Sequence, residues 1–162
     1  MPRSKAKQQD PPPYVATDNG DDVVARALAI CEARVRRGPV MDNPSTVKNY
    51  LILRAANIDH EQFGCLWLTQ NHVVIDCETM FRGTLAQTSV YPREVARRAL
   101  QLNAAAVILT HNHPSGDPAQ SRADEYLTKT IKETLLLVDV RVLDHIITAG
   151  GRCLSFAEKG LL

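Results

Sequence analysis

Two histidines, His111 and His113, follow an apolar run at residues 104–109 and lie in the segment THNHPSGDP. An apolar run of this kind predicts a buried strand. Because alternate residues of a strand point to the same side, the two imidazoles can face one point in space. Ser121 and Asp124 follow where the next helix is predicted to begin. Two histidines and one carboxylate form a ligand set typical of catalytic zinc, which leaves one tetrahedral position for water.

Each of these features also has a simpler structural explanation. Histidines are common at the ends of strands, and Ser-x-x-Asp closely resembles the capping box that a helix can use whether or not it serves a site. The complete spacing, His-x-His-x7-Ser-x-x-Asp, is harder to attribute to coincidence. His145, in a later predicted strand, is more simply interpreted as a buried histidine bonded to a neighbour than as a support for the site.

Helices and strands alternate along part of the chain and must position these side chains. Apolar spacings predict helices at 22–37, 43–56, 92–102 and 121–137, and strands at 63–69, 73–81, 104–110, 140–148 and 152–156. The first two and last two strands form predicted hairpins. Arg93, Arg97 and Arg98 are assigned to the solvent face of their helix. This pattern predicts an α/β fold with helices on both sides of a mixed sheet.

The composition restricts the class of protein. A chain of 162 residues can form one domain with its own core, and the net charge of +1 does not favour a nucleic-acid partner. The sequence contains no apolar stretch long enough for a membrane, no secretory signal in residues 1–13, and no paired CxxC motif. We therefore expect a cytoplasmic protein without a membrane partner, with a disordered tail at 1–20 and a helix at 21–40.

The residues around the histidines resemble a known family. Their spacing is similar to the metal-binding signature of the JAMM (MPN+) metalloproteases. The stretch FRGTLAQTSVYPREVARRALQLNAAAVILTHNHPSGDP, with the closing LDHIIT and SFAEKGLL, resembles the RadC family within that superfamily. The resemblance implies a cytidine-deaminase-like (JAB/MPN) α/β/α sandwich over residues 41–162. It also implies that His111, His113 and Asp124 bind Zn²⁺, and that Ser121 hydrogen-bonds near the activated water or the developing oxyanion.

The superfamily also uses a glutamate on an earlier element, typically within Glu-x-x-Gly-x-Leu. The segment EQFGCL matches this pattern and makes Glu61 the expected general base. The simpler alternative is a hydrophilic residue just outside a strand. Glu78 is a rival inside the second predicted strand, but it lacks the surrounding pattern. The implied function is zinc-dependent hydrolysis of a peptide or isopeptide bond in a protein or peptide substrate of unknown identity.

A second hypothesis is a non-enzymatic or DNA-associated protein, because RadC relatives carry the name "DNA repair protein". The presence of Glu61 together with the complete ligand set favours the hydrolase, since a degenerate scaffold is free to lose one of these residues. The near-neutral charge and the few aromatic residues also argue mildly against nucleic-acid binding. A base deaminase is excluded because its His-x-Glu and Pro-Cys-x-x-Cys motifs are absent. A metallo-β-lactamase-type nuclease is excluded because Ser115 and Gly116 replace the required Asp-His.

Three further expectations concern the surroundings of the domain. Full-length RadC proteins carry a helix-hairpin-helix region before the domain, and the first 40 residues do not match it. The short form resembles stand-alone versions found on mobile elements. The edge strands of the predicted sheet could pair in a homodimer. Residues 82–89 are a candidate lining for the catalytic cleft.

Overall fold

The computed structural model describes residues 20–37, 43–83 and 89–162. The helices are α1 Gly20–Arg37, α2 Pro44–Ala55, α3 Pro92–Gln101, α4 Arg122–Leu136 and α5 Phe156–Lys159, and the strands are β1 Gln62–Leu68, β2 Val74–Arg82, β3 Ala106–Asn112, β4 Arg141–Ala149 and β5 Arg152–Ser155. Every predicted helix and strand is present, and the short α5 is an addition. The predicted tail lies outside the described residues except for Gly20.

The strands form one mixed sheet in the order β2-β1-β3-β4-β5. β3 and β4 are parallel and are connected by α4, whereas the other neighbouring pairs are antiparallel. The carboxyl ends of β3 and β4 therefore meet at one edge of the sheet. Because β1 runs antiparallel to β3, the residues that precede β1 lie at the same edge. The histidines after β3 and the glutamate before β1 are thus brought together by topology.

The sheet has an apolar core on each face. One core contains Trp67 and Leu109 with residues of α3 and α4, and the other contains Leu66 and Ile108 with residues of α2. Successive residues of β1 and β3 enter opposite cores because side chains alternate along a strand. The observed architecture is therefore the expected α/β/α sandwich. Within the described part of the chain, the helices are too short or too polar to cross a bilayer.

The boundaries of two elements have local causes. Asn43 caps α2 by accepting a hydrogen bond from the Ser45 amide, and Pro44 occupies the first turn. Ser155 caps α5, so Phe156, which was predicted to lie in the last strand, belongs to that helix. The prediction that Arg98 faces solvent is wrong, because its Nε donates to the Glu78 carboxylate at 2.6 Å.

Candidate metal centre

The two histidines lie at the end of β3 and are held in different ways. His111 is part of the strand, pairs with Phe63 of β1, and is 7% exposed. His113 lies just beyond the strand, where its amide donates to the Thr148 carbonyl at 2.8 Å. Its Nδ1 is 3.0 Å from the carbonyl oxygen of Asp117. Because a carbonyl can only accept, Nδ1 carries the hydrogen and Nε2 keeps a lone pair for the site.

The loop after His113 is anchored by its own hydrogen bonds. The Gly116 amide donates to the His113 carbonyl at 3.2 Å, and Arg152 of β5 donates to the Gly116 carbonyl at 2.9 Å. The Ala119 amide donates to the Asp117 carboxylate at 3.1 Å. Gly116 has a φ of 84°, which is a left-handed conformation that favours glycine. The loop therefore fixes the second histidine beside the turn between β4 and β5.

Asp124 enters the site from the first turn of α4. It forms a capping box with Ser121, in which the Asp124 Oδ2 accepts from the Ser121 amide at 2.8 Å and from its hydroxyl at 2.6 Å. The other carboxylate oxygen lies 3.1 Å from His111 Nδ1, and Oδ2 lies 3.8 Å from His113 Nε2. Burial alone raises the pKa of Asp124, but the interactions with His111 and Ser121 outweigh it and hold the pKa below its usual range.

Glu61 approaches from the opposite strand. Its Oε2 lies 3.8 Å from His111 Nε2, and one ligand atom each from Glu61, His111 and His113 fall within 4.8 Å of one another. Gly64 of the same motif lies at a β-bulge, and a Cβ there would come 2.6 Å from the Glu78 carbonyl oxygen. The glycine therefore allows β2 to approach β1 closely where β1 leaves the site.

The rival carboxylate is engaged elsewhere. Glu78 accepts hydrogen bonds from Trp67 Nε1 at 2.8 Å and Arg98 Nε at 2.6 Å.

His145 is fully buried, and its Nδ1 lies 2.6 Å from the hydroxyl oxygen of Thr128. This confirms the simpler interpretation of His145 as a buried histidine bonded to a neighbour.

The residues at the site fit a divalent metal ion. Within the described residues, neither ring nitrogen of the buried His111 has a partner in hydrogen-bond geometry. An unpaired buried polar atom is costly, and coordination of one of these nitrogens would remove that cost for the bound atom. Imidazole nitrogens and carboxylate oxygens are also the ligands that zinc commonly takes from proteins. That His111, His113 and Asp124 are the zinc ligands stays a prediction.

Residues 41–161 match the family model described as the RadC-like JAB domain. The chain belongs to the RadC family. The UPF0758 protein of Methylibium petroleiphilum is 55% identical over 141 residues, which are 87% of this chain and 62% of that protein. The UPF0758 protein of Leptothrix cholodnii is 55% identical over 130 residues, 80% of this chain and 59% of that protein. A relative from Nitrosococcus oceani is 54% identical over 131 residues, 81% of this chain and 58% of that protein.

The chain therefore spans about six tenths of the length of these curated relatives.

Two polar residues of the RadC-like JAB domain were not predicted from the sequence. They are Asn112, between the two histidines, and Thr128, one turn after Asp124. Both contact residues far away in the sequence, which no local spacing reveals. Of the predicted cleft lining at 82–89, residues 84–88 lie outside the described residues.

Proposed function

We propose that this domain is a zinc-dependent hydrolase that cleaves a peptide or isopeptide bond. The observation that carries the proposal is the convergence of Glu61, His111 and His113, because Nε2 of the buried His111 has no hydrogen-bond partner in the described structure and Nδ1 has only the 3.1 Å contact with the Asp124 carboxylate. Asp124 lies beside both histidines. This arrangement combines candidate metal ligands with a carboxylate that can act as a base.

Three residues would hold the ion: His111, His113 and Asp124. The Asp117 carbonyl leaves His113 Nε2 available, and the lowered pKa keeps Asp124 ionised at neutral pH. A zinc ion bound there would supply Lewis-acid activation of a water molecule and of the substrate carbonyl. The ligand set follows the catalytic pattern of two histidines and one carboxylate.

Glu61 would act as the general base. Its carboxylate forms no hydrogen bond within the described residues, and its side chain is 16% exposed, so it can still meet water. It would accept a proton from the attacking water and deliver it to the leaving amine.

The expected role of Ser121 near the reacting oxygen stays a prediction. A serine hydroxyl has one hydrogen to donate. In this structure the Ser121 hydroxyl donates that hydrogen to Asp124 and accepts from the Asp124 amide. These bonds support a role in which Ser121 orients the carboxylate of a metal ligand.

The first test is the zinc content of the wild-type protein, purified without added metal or a histidine tag. We expect about one zinc per chain, lost in His113→Ala and in Asp124→Ala because each removes a ligand. His72→Ala is the matched control, since this histidine lies in the turn between β1 and β2 and bonds to Arg141. Absence of zinc from the wild-type protein after zinc has been supplied would refute the proposal.

A further inference from the structure

The backbone pairing between β1 and β3 ends before it reaches Glu61, the proposed general base. The last paired residues are Phe63 and His111. Beyond them the chain of β3 continues along β4, where Asn112 pairs with Thr148 and the His113 amide donates to the Thr148 carbonyl. The peptide groups on either side of Glu61 therefore have no backbone hydrogen bonds to β3.

The side chain of Asn112 takes the place of that strand. Its Oδ1 accepts from the Gln62 amide at 2.7 Å, and its Nδ2 donates to the His60 carbonyl at 2.9 Å. Asn112 is 6% exposed, so water does not easily substitute for these bonds. A carboxamide offers a donor and an acceptor in one plane, which matches a peptide group. Both of the bonded groups immediately flank Glu61.

The backbone of Glu61 is also fixed by a hydrogen bond on its other side. The Gly83 amide donates to the Glu61 carbonyl at 2.8 Å. Glu61 and Phe63 are two residues apart and share the face that contains His111, whereas Asn112 follows His111 and points to the other face. Asn112 thus fixes the backbone of Glu61 from behind the sheet without lying among the candidate ligands.

We infer that Asn112 is the positioning residue for the general base Glu61. This inference rests on the proposed function, which assigns that role to Glu61. Asn112 lies between the two candidate ligand histidines, so one side chain ties the base to the segment that would hold the metal. Rigid support of this kind sets the distance between a base and the reacting water.

The test combines backbone exchange with a metal probe in the full chain. The variants are Asn112→Ala and Asn112→Ser, the second of which keeps a polar group that is too short to reach both peptide groups. Hydrogen exchange of the Gln62 amide is measured by NMR. The pH titration of the visible absorption is measured after loading with Co²⁺ alone, because this spectrum responds to charged groups beside the metal. Thr69→Ala is the matched control, since it removes a side-chain bond to the Val73 amide at the other end of β1.

We expect exchange of the Gln62 amide to become about tenfold faster in both variants because it loses its acceptor. The cobalt titration should shift toward that of Glu61→Gln, while metal content and the Thr69→Ala protein stay as in the wild type. Asn112→Asp keeps an acceptor and should restore Gln62 protection. If Glu61→Gln shifts the titration and the Asn112 variants do not, the inference is wrong and the proposed function stands. If Glu61→Gln itself causes no shift, the assigned base is wrong and the inference fails with it.

Discussion

Two carboxylates of the same hairpin have very different surroundings. Glu78 Oε1 accepts from Trp67 at 2.8 Å and from Arg98 at 2.6 Å, so this oxygen is engaged within the fold. Glu61 forms no hydrogen bond within the described residues and lies 3.8 Å from His111. A carboxylate that is already satisfied stabilises the protein, whereas one that is left without a donor beside imidazoles is available for chemistry.

The same contrast separates two buried histidines that stack with an interplanar angle of 11°. Thr128 donates its hydroxyl hydrogen to the Asp124 carbonyl, so His145 must supply the hydrogen in the 2.6 Å contact with Thr128. Burial, followed by the positive charge that His111 can carry, lowers the pKa of His145 to about 3. In the described structure His145 thus has one paired nitrogen and one unpaired nitrogen, Nε2, whereas neither nitrogen of His111 has a contact in hydrogen-bond geometry and its Nδ1 lies 3.1 Å from the Asp124 carboxylate. Changes at Glu78 and His145 should reduce stability, and changes at Glu61 and His111 should reduce function.

Glu61→Gln gives the largest expected effect. The amide cannot accept a proton from water, so hydrolysis of a cleavable peptide or isopeptide probe should fall by about 10² to 10⁴. The zinc content should stay at the wild-type level, and the thermal midpoint should change little because no hydrogen bond is broken. Steady-state rates, metal analysis and thermal denaturation check the three parts. Unchanged turnover would remove Glu61 from the mechanism.

Glu78→Leu should produce the opposite result. The buried indole N–H of Trp67 loses its acceptor, which should reduce the free energy of unfolding by about 2 kcal/mol, whereas Arg98 keeps a contact with Asp76 at 3.7 Å. Zinc content and the hydrolytic rate of the folded protein should remain unchanged. Urea denaturation measures the first quantity. Loss of hydrolysis at full zinc occupancy would show that the rival carboxylate takes part in the reaction after all.

The sequence predicted the strands and long helices because their apolar periodicities differ, and it predicted His111, His113 and Asp124 as neighbours because a strand and the next helix turn are local. It did not separate Glu61 from Glu78 by their contacts. The partner of Glu78 is a guanidinium of α3, so recognising that bond requires the packing of α3 against the sheet. The role of Asn112 depends on the register between β1 and β3, which joins residues about 50 positions apart.

His145 provides a smaller effect that depends on pH. The folded pKa is near 3 and the unfolded value is near 6.5, so between these values the unfolded chain binds a proton that the folded chain does not. This contribution to stability is therefore lost as the pH falls. For the metal-free protein, we expect His145 to account for a decrease of about 2 kcal/mol between pH 7 and pH 5. Urea denaturation of His145→Gln beside the wild type should show a shallower pH dependence, and parallel curves would contradict the prediction.

Replacing Ser121 gives the smallest expected loss of stability. It tests whether a hydroxyl that already caps a helix also supports metal binding. Ser121→Ala removes the cap of α4 and should cost about 1 kcal/mol. Ser155→Ala is a matched control because Ser155 caps α5 and donates to Asp144 in the same way. The difference is that the partner of Ser121 is a candidate metal ligand. Zinc affinity should therefore fall about 10- to 100-fold in Ser121→Ala and stay constant in Ser155→Ala, as competition with a chelator can measure. Equal affinities in the two variants would limit Ser121 to capping the helix, because its hydrogen bond to Asp124 would then contribute nothing to binding the ion.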